Sequence, residues 1–454
     1  MFEEAERTRY SSPSIALWMG VILALLFVPV SAAEAATPLV EFVWSGAVTP
    51  ASATVNARLL DDSSTVRLRV SPNQDLSSPI FSEYYTATLA LNNRVVSIPI
   101  SGLAPDTRYH YAIESGGQLD TIHQGTFRTF PLGPASFTFA FGSCAQTGST
   151  HAVFDTIRNL NPLFFLHLGD MHYENIAAND RDLFRNAFNR VLASPVQAAL
   201  YREVPLVYMW DDHDYGPNNS DATAPGREAA RLTYQEYVPH YPLAAGAGDV
   251  PVYQAFTVGR VRFILTDLRS ERSPPSAPDD ANKTMMGAAQ KAWFKQELLD
   301  ANGVYSLIVW ASTMPWIGQT GSDGWHLYTT ERQELADFIK DNDIQGLVML
   351  SGDAHMLAID DGRHSDYATG GGAGFPVMHA AALDRPGSVK GGPYSQGAFP
   401  GRGQFGLMTV IDNGDSVIWV QWRGLNANNA EIVAYDFAFI TDPQRAYLPL
   451  VLRY

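Results

Sequence analysis

Leu206-Val207-Tyr208-Met209-Trp210-Asp211-Asp212-His213 joins an unbroken apolar run directly to three titratable side chains. The run reads as a buried strand, and charged groups at the end of such a strand are costly unless something binds there. The pattern recurs three times. Phe137-Thr138-Phe139-Ala140-Phe141 leads into Gly142-Ser143-Cys144. Leu163-Phe164-Phe165-Leu166-His167-Leu168 leads into Gly169-Asp170, with Tyr173 and Glu174 just beyond. Leu347-Val348-Met349-Leu350 leads into Ser351-Gly352-Asp353-Ala354-His355. Strands that each end in metal-ligand side chains point to a metal site at one edge of a sheet, and in open α/β sheets ligands bind outside the carboxyl ends of the strands.

Outward from these runs, strands and helices alternate from about Ala135 onward. Val153, Ile157 and Leu160 share one helix face and Pro162 stops that helix; Phe184, Ala187, Phe188 and Val191 share another. Val252 to Phe256 and Val261 to Thr266 read as a hairpin around Gly259-Arg260. Helices over about 287–299 and 330–340 precede strands over 305–310 and 346–350, and strands return at 407–411 and 417–422. Such mixed order fits a sheet-rich α/β or α+β layered domain. Segments 215–228, 271–284 and 360–404, rich in Gly, Pro, Ser and Asn, are expected to be long loops on the side of the ligand clusters. Gly370-Gly371-Gly372-Ala373-Gly374 lacks the following Lys of a phosphate-binding loop and reads as a plain flexible loop.

Upstream, from about Thr37 to Pro131, the pattern is all-β. Ser64-Thr65-Val66-Arg67-Leu68-Arg69-Val70 alternates, and turns fall at Pro72-Asn73, Asn92-Asn93 and Pro105-Asp106. A small sandwich is expected there, with Pro131-Leu132-Gly133-Pro134 as linker. Arg7 and Arg9 precede an apolar stretch from Ile15 to Val30, followed by Ser31-Ala32-Ala33-Glu34-Ala35-Ala36. This reads as an export signal with small-x-small cleavage patterns, an uncleaved membrane anchor being the alternative.

The 454 residues are enough for more than one core, since single cores rarely exceed about 250–300 residues. With 46% hydrophobic and 17% charged residues the chain is globular, and a net charge of −16 with no Lys/Arg run excludes a nucleic-acid-binding surface. Cys144 is the single cysteine, so no intramolecular disulfide can form.

Thiolate, phenolate, carboxylate and imidazole on one ion would make a strongly anionic site that favours a trivalent or Lewis-acidic first-row metal, iron foremost. A second ion held by carboxylate and amide oxygens would be calcium, magnesium or manganese. Two such ions can clamp the attacking and leaving oxygens of a phosphoryl displacement and lower the pKa of a bound water toward ~7, which makes it a usable nucleophile. No GxSxG elbow offers a serine in its place. Taken singly, each residue has a structural reading: Asp170 as a helix N-cap, Tyr173 as a core aromatic, His355 as a buried hydrogen-bonded histidine, Asp212 as an arginine partner. Coincidence at all the strand ends is a poorer account.

The combination resembles the alkaline phosphatase D (PhoD-like) family of metallophosphoesterases. The matching residues are Gly142-Ser143-Cys144, Gly169-Asp170 with Tyr173-Glu174, Trp210-Asp211-Asp212-His213-Asp214 with Asn218-Asn219, Asp267 with Arg269, Met286-Gly287 with Gln290 and Trp293, and Gly352-Asp353 with His355. Trp44-Ser45-Gly46 and the Pro105-to-Tyr111 stretch carry a weaker likeness upstream. The resemblance implies a four-layer metallophosphoesterase sandwich over 135–440, preceded by a fibronectin-III-like β-sandwich over 37–132. A signal peptide over 1–36 and a tail over 441–454 complete the expected organisation. It implies that Cys144, Asp170, Tyr173 and His355 surround Fe(III). Asp170 would bridge to a second ion, Ca(II) or else Mg or Mn, that also takes Asp212 and Asp353. His213 would act as general acid or charge stabiliser, and Asn219 (or Asn218) would hold a phosphate oxygen or the second ion. Arg269 would contact phosphate or support the ligands, an ion pair with Asp267 being the alternative; Asp211 would support the ligands. The chain departs from the wider pattern in carrying Gly-Ser-Cys for Asp-x-His, Asp-Asp-His for Gly-Asn-His, Gly-Asp-x-His for Gly-His-x-His, and Ser312-Thr313 where a further histidine is usual.

The reading is an exported, secreted or cell-surface phosphoesterase that attacks phosphodiesters, phosphomonoesters or both with a metal-bound hydroxide. It is expected to act as a monomer on a phosphate ester, with membrane association limited to the N-terminal segment. The alternatives are a surface-binding protein with an inactivated core and a purple-acid-phosphatase-like monoesterase. All six metal-ligand candidates are retained, against the first; the histidine-rich second-ion set is missing, against the second.

Overall fold

In a computed structural model of the chain, residues 38–319, 321 and 323–440 are described. The signal segment expected over 1–36 and the tail over 441–454 lie outside the described residues. Among the described residues no helix is long and apolar enough to cross a membrane.

Phe137–Gly142, Phe165–Leu168 and Leu206–Met209 lie side by side and parallel in a nine-stranded sheet. Leu347–Ser351 belongs to a second sheet, of seven strands, in parallel register with Leu307–Ser312, which in turn pairs with Val261–Thr266. These strands read as continuous apolar runs because both of their faces are covered. Val261, Phe263, Leu265, Val309 and Val348 pack into the core between the sheets. There Phe139 stacks on Phe164 at 4.6 Å and meets Phe263 edge-on at 5.4 Å. The alternate residues Ile264, Ile308, Trp310 and Met349 pack against Phe294 and Leu298 of helix Gly287–Ala301 and against Leu335 and Ile339 of helix Thr329–Asp341. Helices Val153–Asn159, Arg181–Leu192 and Pro195–Glu203 cover the far face of the first sheet, where Tyr201 stacks against Phe165. The result is helix on sheet on sheet on helix, with the strands that lead into Cys144, Asp170, Asp211 and Asp353 central.

The upstream all-β segment shares a sheet with the α/β part of the chain. Val40–Gly46, Ser52–Leu59 and Val95–Ser101 extend the nine-stranded sheet past Leu206–Met209, through a contact of Gly46 with Leu206. Glycine is required at this junction, since a Cβ on Gly46 would stand 2.5 Å from the Leu206 carbonyl oxygen and 2.8 Å from that of Pro239. Thr65–Ser71, Arg108–Ser115 and Gly125–Arg128, with short partners, make a separate antiparallel sheet.

Segment 360–404 is less open than its composition suggests. Val377–Ala380 is a strand between Leu347–Ser351 and Met356–Asp360. Four residues flanked by Gly- and Pro-rich runs carry too little periodicity to be seen. Helices Pro195–Glu203 and Arg227–Tyr237 and strand Glu431–Ile440 are likewise elements that only the structure reveals.

Candidate metal centre

The carboxyl ends of these strands converge. Cys144 Sγ lies 3.5 Å from Asp170 Oδ2, and the Tyr173 hydroxyl donates to the same oxygen at 2.8 Å. The Tyr173 oxygen is also 3.2 Å from His355 Nε2. Sulfur, carboxylate, phenol and imidazole thus meet around one point, from three different strand ends. The His355 ring is oriented for this, because its Nδ1 bonds the Pro386 carbonyl oxygen at 2.7 Å and turns Nε2 toward the Tyr173 oxygen.

Asp212 and His213 share a ligand-competent cluster with Asp170, and Asp211, Asp212 and Asp353 form another, their offered atoms lying within 4.8 Å of one another. Asn219 reaches this cluster through its backbone, donating to Asp212 Oδ2 at 2.6 Å; Asn218 is exposed. His213 Nδ1 bonds the Asn175 amide oxygen at 2.6 Å, and its ring lies over Tyr173 at 4.1 Å between centroids.

Cys144, Asp170, Asn219 and Asp353 all have left-handed backbone, with φ of 63°, 56°, 62° and 69°. Such a conformation costs a non-glycine residue roughly 1–3 kcal/mol and persists where the surroundings impose it, commonly at functional sites. Here backbone bonds impose it: Cys144 N–H donates to the Gly169 carbonyl and Asp170 N–H to the Asp214 carboxylate. Gly169 itself (φ 92°) must be glycine, since a Cβ there would fall 2.4 Å from that of Asp211.

Arg269 is fully buried and gripped on both sides: Nε donates to Asp211 Oδ1 at 2.5 Å and Nη1 to Asp323 Oδ2 at 2.9 Å. Its Nη2 stands 3.7 Å from Asp212 Oδ1. Asp323 also takes Arg272. Asp267 does not pair with the guanidinium; its carboxylate accepts from Trp210 Nε1, Ser270 and the Val252 N–H. Thr313, at the position lacking the usual histidine, donates to Asp211 Oδ1 at 3.1 Å.

Burial, then repulsion from Asp212 and Asp211, pushes the Asp170 carboxyl well above the ordinary range. Burial beside Asp170 does the same to the Cys144 thiol and the Tyr173 phenol. Burial lifts Asp211 to about 8 despite Arg269, and Asp353 to about 6 despite Lys390. Burial opposes the charge on Asp212 as well, but there Arg269 and His213 win and hold its pKa below the ordinary value. Acidic groups crowded so that their charged forms repel are stabilised by a cation, which reverses these shifts. Asp211 Oδ2 and Asp212 Oδ1 are buried without a hydrogen-bond partner among the described residues. Converging soft and hard donors, a pre-oriented imidazole and orphaned carboxylate oxygens fit a metal centre.

Lys390, Asn175, Asp323 and the Pro386 carbonyl are members of the site that sequence reasoning does not reach. Lys390 carries one faint signal, as the lone charged side chain between Pro386 and Gly401.

A model of the PhoD-like phosphatase family matches residues 139–379. Alkaline phosphatase D of Bacillus subtilis (strain 168) is 25% identical over 313 residues, covering 57% of this chain and 53% of that protein. Purple acid phosphatase 23 of Arabidopsis thaliana is 22% identical over 285 residues, covering 57% and 56%. The chain therefore spans about half the length of the relatives it matches. A solved structure of PhoD superposes with a TM-score of 0.73 at 19% identity, covering 93% of this chain and 94% of that one, a likeness of fold.

Proposed function

The chain belongs to the PhoD-like phosphatase family, and from that premise we propose that it hydrolyses phosphate esters with the help of cations held at the strand ends. The observation that carries this reading is the meeting of Cys144, Asp170, Tyr173 and His355 within hydrogen-bonding distance around one point.

In this reading Cys144, Asp170, Tyr173 and His355 hold Fe(III). Asp170 also faces a second ion, Ca(II) or else Mg or Mn, shared with Asp212, Asp353 and the Asn219 amide. Bound there, the cations would lower the pKa of a coordinated water toward ~7 and draw charge from the phosphoryl oxygens. His213 is the proton carrier for the leaving oxygen. With Nδ1 bonded to Asn175, its Nε2 is the atom left to deliver the proton; burial lowers the His213 pKa and so favours release of that proton, while Asp212 partly offsets the shift and supports the imidazolium. Arg269, wholly buried between Asp211 and Asp323, acts as a fixed counter-ion that sets the Asp211 and Asp212 carboxylates in place rather than as a phosphate contact. The substrate is a phosphodiester, a phosphomonoester or both. Export through the segment over 1–36 and a monomeric state belong to the same proposal, as does a β-sandwich unit over 37–132, one sheet of which runs on into the α/β part.

The test is metal analysis followed by paired assays on an aryl phosphate monoester and diester, for the native protein and Asp170→Ala. The native protein is expected to contain metal and cleave at least one ester, and the variant to lose both. Hydrolysis retained by a metal-free Asp170→Ala protein would overturn the proposal.

A further inference from the structure

The ammonium of Lys390 lies 2.7 Å from Oδ1 and 2.8 Å from Oδ2 of Asp353. Both oxygens of a residue assigned above to the second cation are therefore engaged by a cation that the chain itself supplies. A divalent ion and an ammonium cannot share one carboxylate at these distances without strong repulsion.

The two basic residues of this region are held differently. Arg269 is fully buried, and its planar guanidinium is clamped by Asp211 and Asp323. Among the described residues Lys390 has one carboxylate partner, Asp353, and its side chain is 26% exposed where that of Asp353 is 5% exposed. Lysine is a point charge on a flexible stem, so it can leave a partner without disrupting a planar array of bonds. The chain on its far side is Gly391-Gly392, both with positive φ (71° and 98°), in an irregular segment between strands Val377–Ala380 and Ala398–Pro400.

We propose that Lys390 competes with the second cation for Asp353. Its ammonium holds the carboxylate while the cation is absent, and cation binding displaces it from Asp353. The inference rests on the two-cation reading above and deepens it, since it makes the affinity for the second ion a property set by this side chain.

The test is calorimetric titration with calcium after dialysis against EGTA, on the native protein and on Lys390→Met, Lys390→Arg and Arg385→Met. Arg385 is the control: its guanidinium lies 3.9 Å above the Tyr173 ring and bonds Gln146, so removing it takes one positive charge from the same mouth without touching Asp353. Lys390→Met is expected to bind calcium about tenfold more tightly, about 1.4 kcal/mol. Lys390→Arg keeps a competitor and is expected to stay near the native affinity, and Arg385→Met to shift by less than about threefold, within general charge effects. Unchanged or weaker calcium binding by Lys390→Met, or an equal gain in Arg385→Met, overturns the competition alone. Absence of a calcium-binding event in all four proteins overturns the second cation and the competition together.

Discussion

The Asp214 carboxylate accepts the backbone N–H of Asp170 at 2.5 Å. It also accepts the N–H groups of His172 and Asp211, each at 3.1 Å, and so ties together the ends of two neighbouring strands. Asp214 thereby helps to hold Asp170 in its left-handed conformation, with the carboxylate turned toward Cys144 and Tyr173. Asp214→Ala would strand three buried donors, at roughly 1–3 kcal/mol for each that stays unsatisfied. The expected outcome is a destabilisation of about 3 kcal/mol in denaturant unfolding, with metal content reduced. Native stability and full metal loading in Asp214→Ala would show that the tie is dispensable.

Tyr173 places its hydroxyl on both Asp170 and His355. If the phenol ligates ferric iron, Tyr173→Phe should lose or shift a visible charge-transfer band while the folded protein survives, since one lost hydrogen bond costs only about 1 kcal/mol. Absorption spectra of the two proteins at equal iron content decide it; identical spectra would remove tyrosinate from the ligand set.

His213 stands with Nε2 uncommitted above the site. As a general acid it is worth about 10²–10⁴-fold in rate, and most for poor leaving groups. His213→Gln is expected to cleave alkyl esters far more slowly than the native protein does, to be less impaired on nitrophenyl esters, and to keep its metal. An equal loss on both ester types would reassign His213 to charge stabilisation.

Asp120, wholly buried, accepts the N–H groups of Leu39, Ile122 and His123 at 2.8, 3.1 and 2.9 Å. Burial works to raise its pKa, but His123 and these donors outweigh burial and hold it below the ordinary value. Its ionised form is therefore favoured in the folded state. The stability it contributes is complete above the unfolded carboxyl's pKa of about 3.9 and drains away as pH falls through the lower folded value. Asp120→Asn is expected to melt below the native protein at neutral pH, and the gap to narrow below about pH 4. A gap that stays constant down to about pH 2 would contradict the assignment.

Much of the site was legible because the signal is short-range. Apolar runs that stop at Cys144, Asp170, Asp212 and Asp353 announce both the strand and the donor side chain within a few residues. The hairpin around Gly259-Arg260 was legible for the same reason, since turn chemistry is local. Val377–Ala380 was not, because its pairing partners lie in other segments and four residues carry no period of their own.

The order of residue types along the chain was enough to specify four strands tipped with donor side chains, the kinds of donor they carry and the family they resemble. It could not say which charge neutralises which. Arg269 pairs with Asp211 across 58 positions, Lys390 with Asp353 across 37, and Tyr173 meets His355 across 182. Those partnerships, and the joining of Val40–Gly46 to Leu206–Met209 through Gly46, arise from how the two sheets and their loops pack. Coulombic and hydrogen-bond energies depend on separation in space, and the folded backbone alone sets that separation.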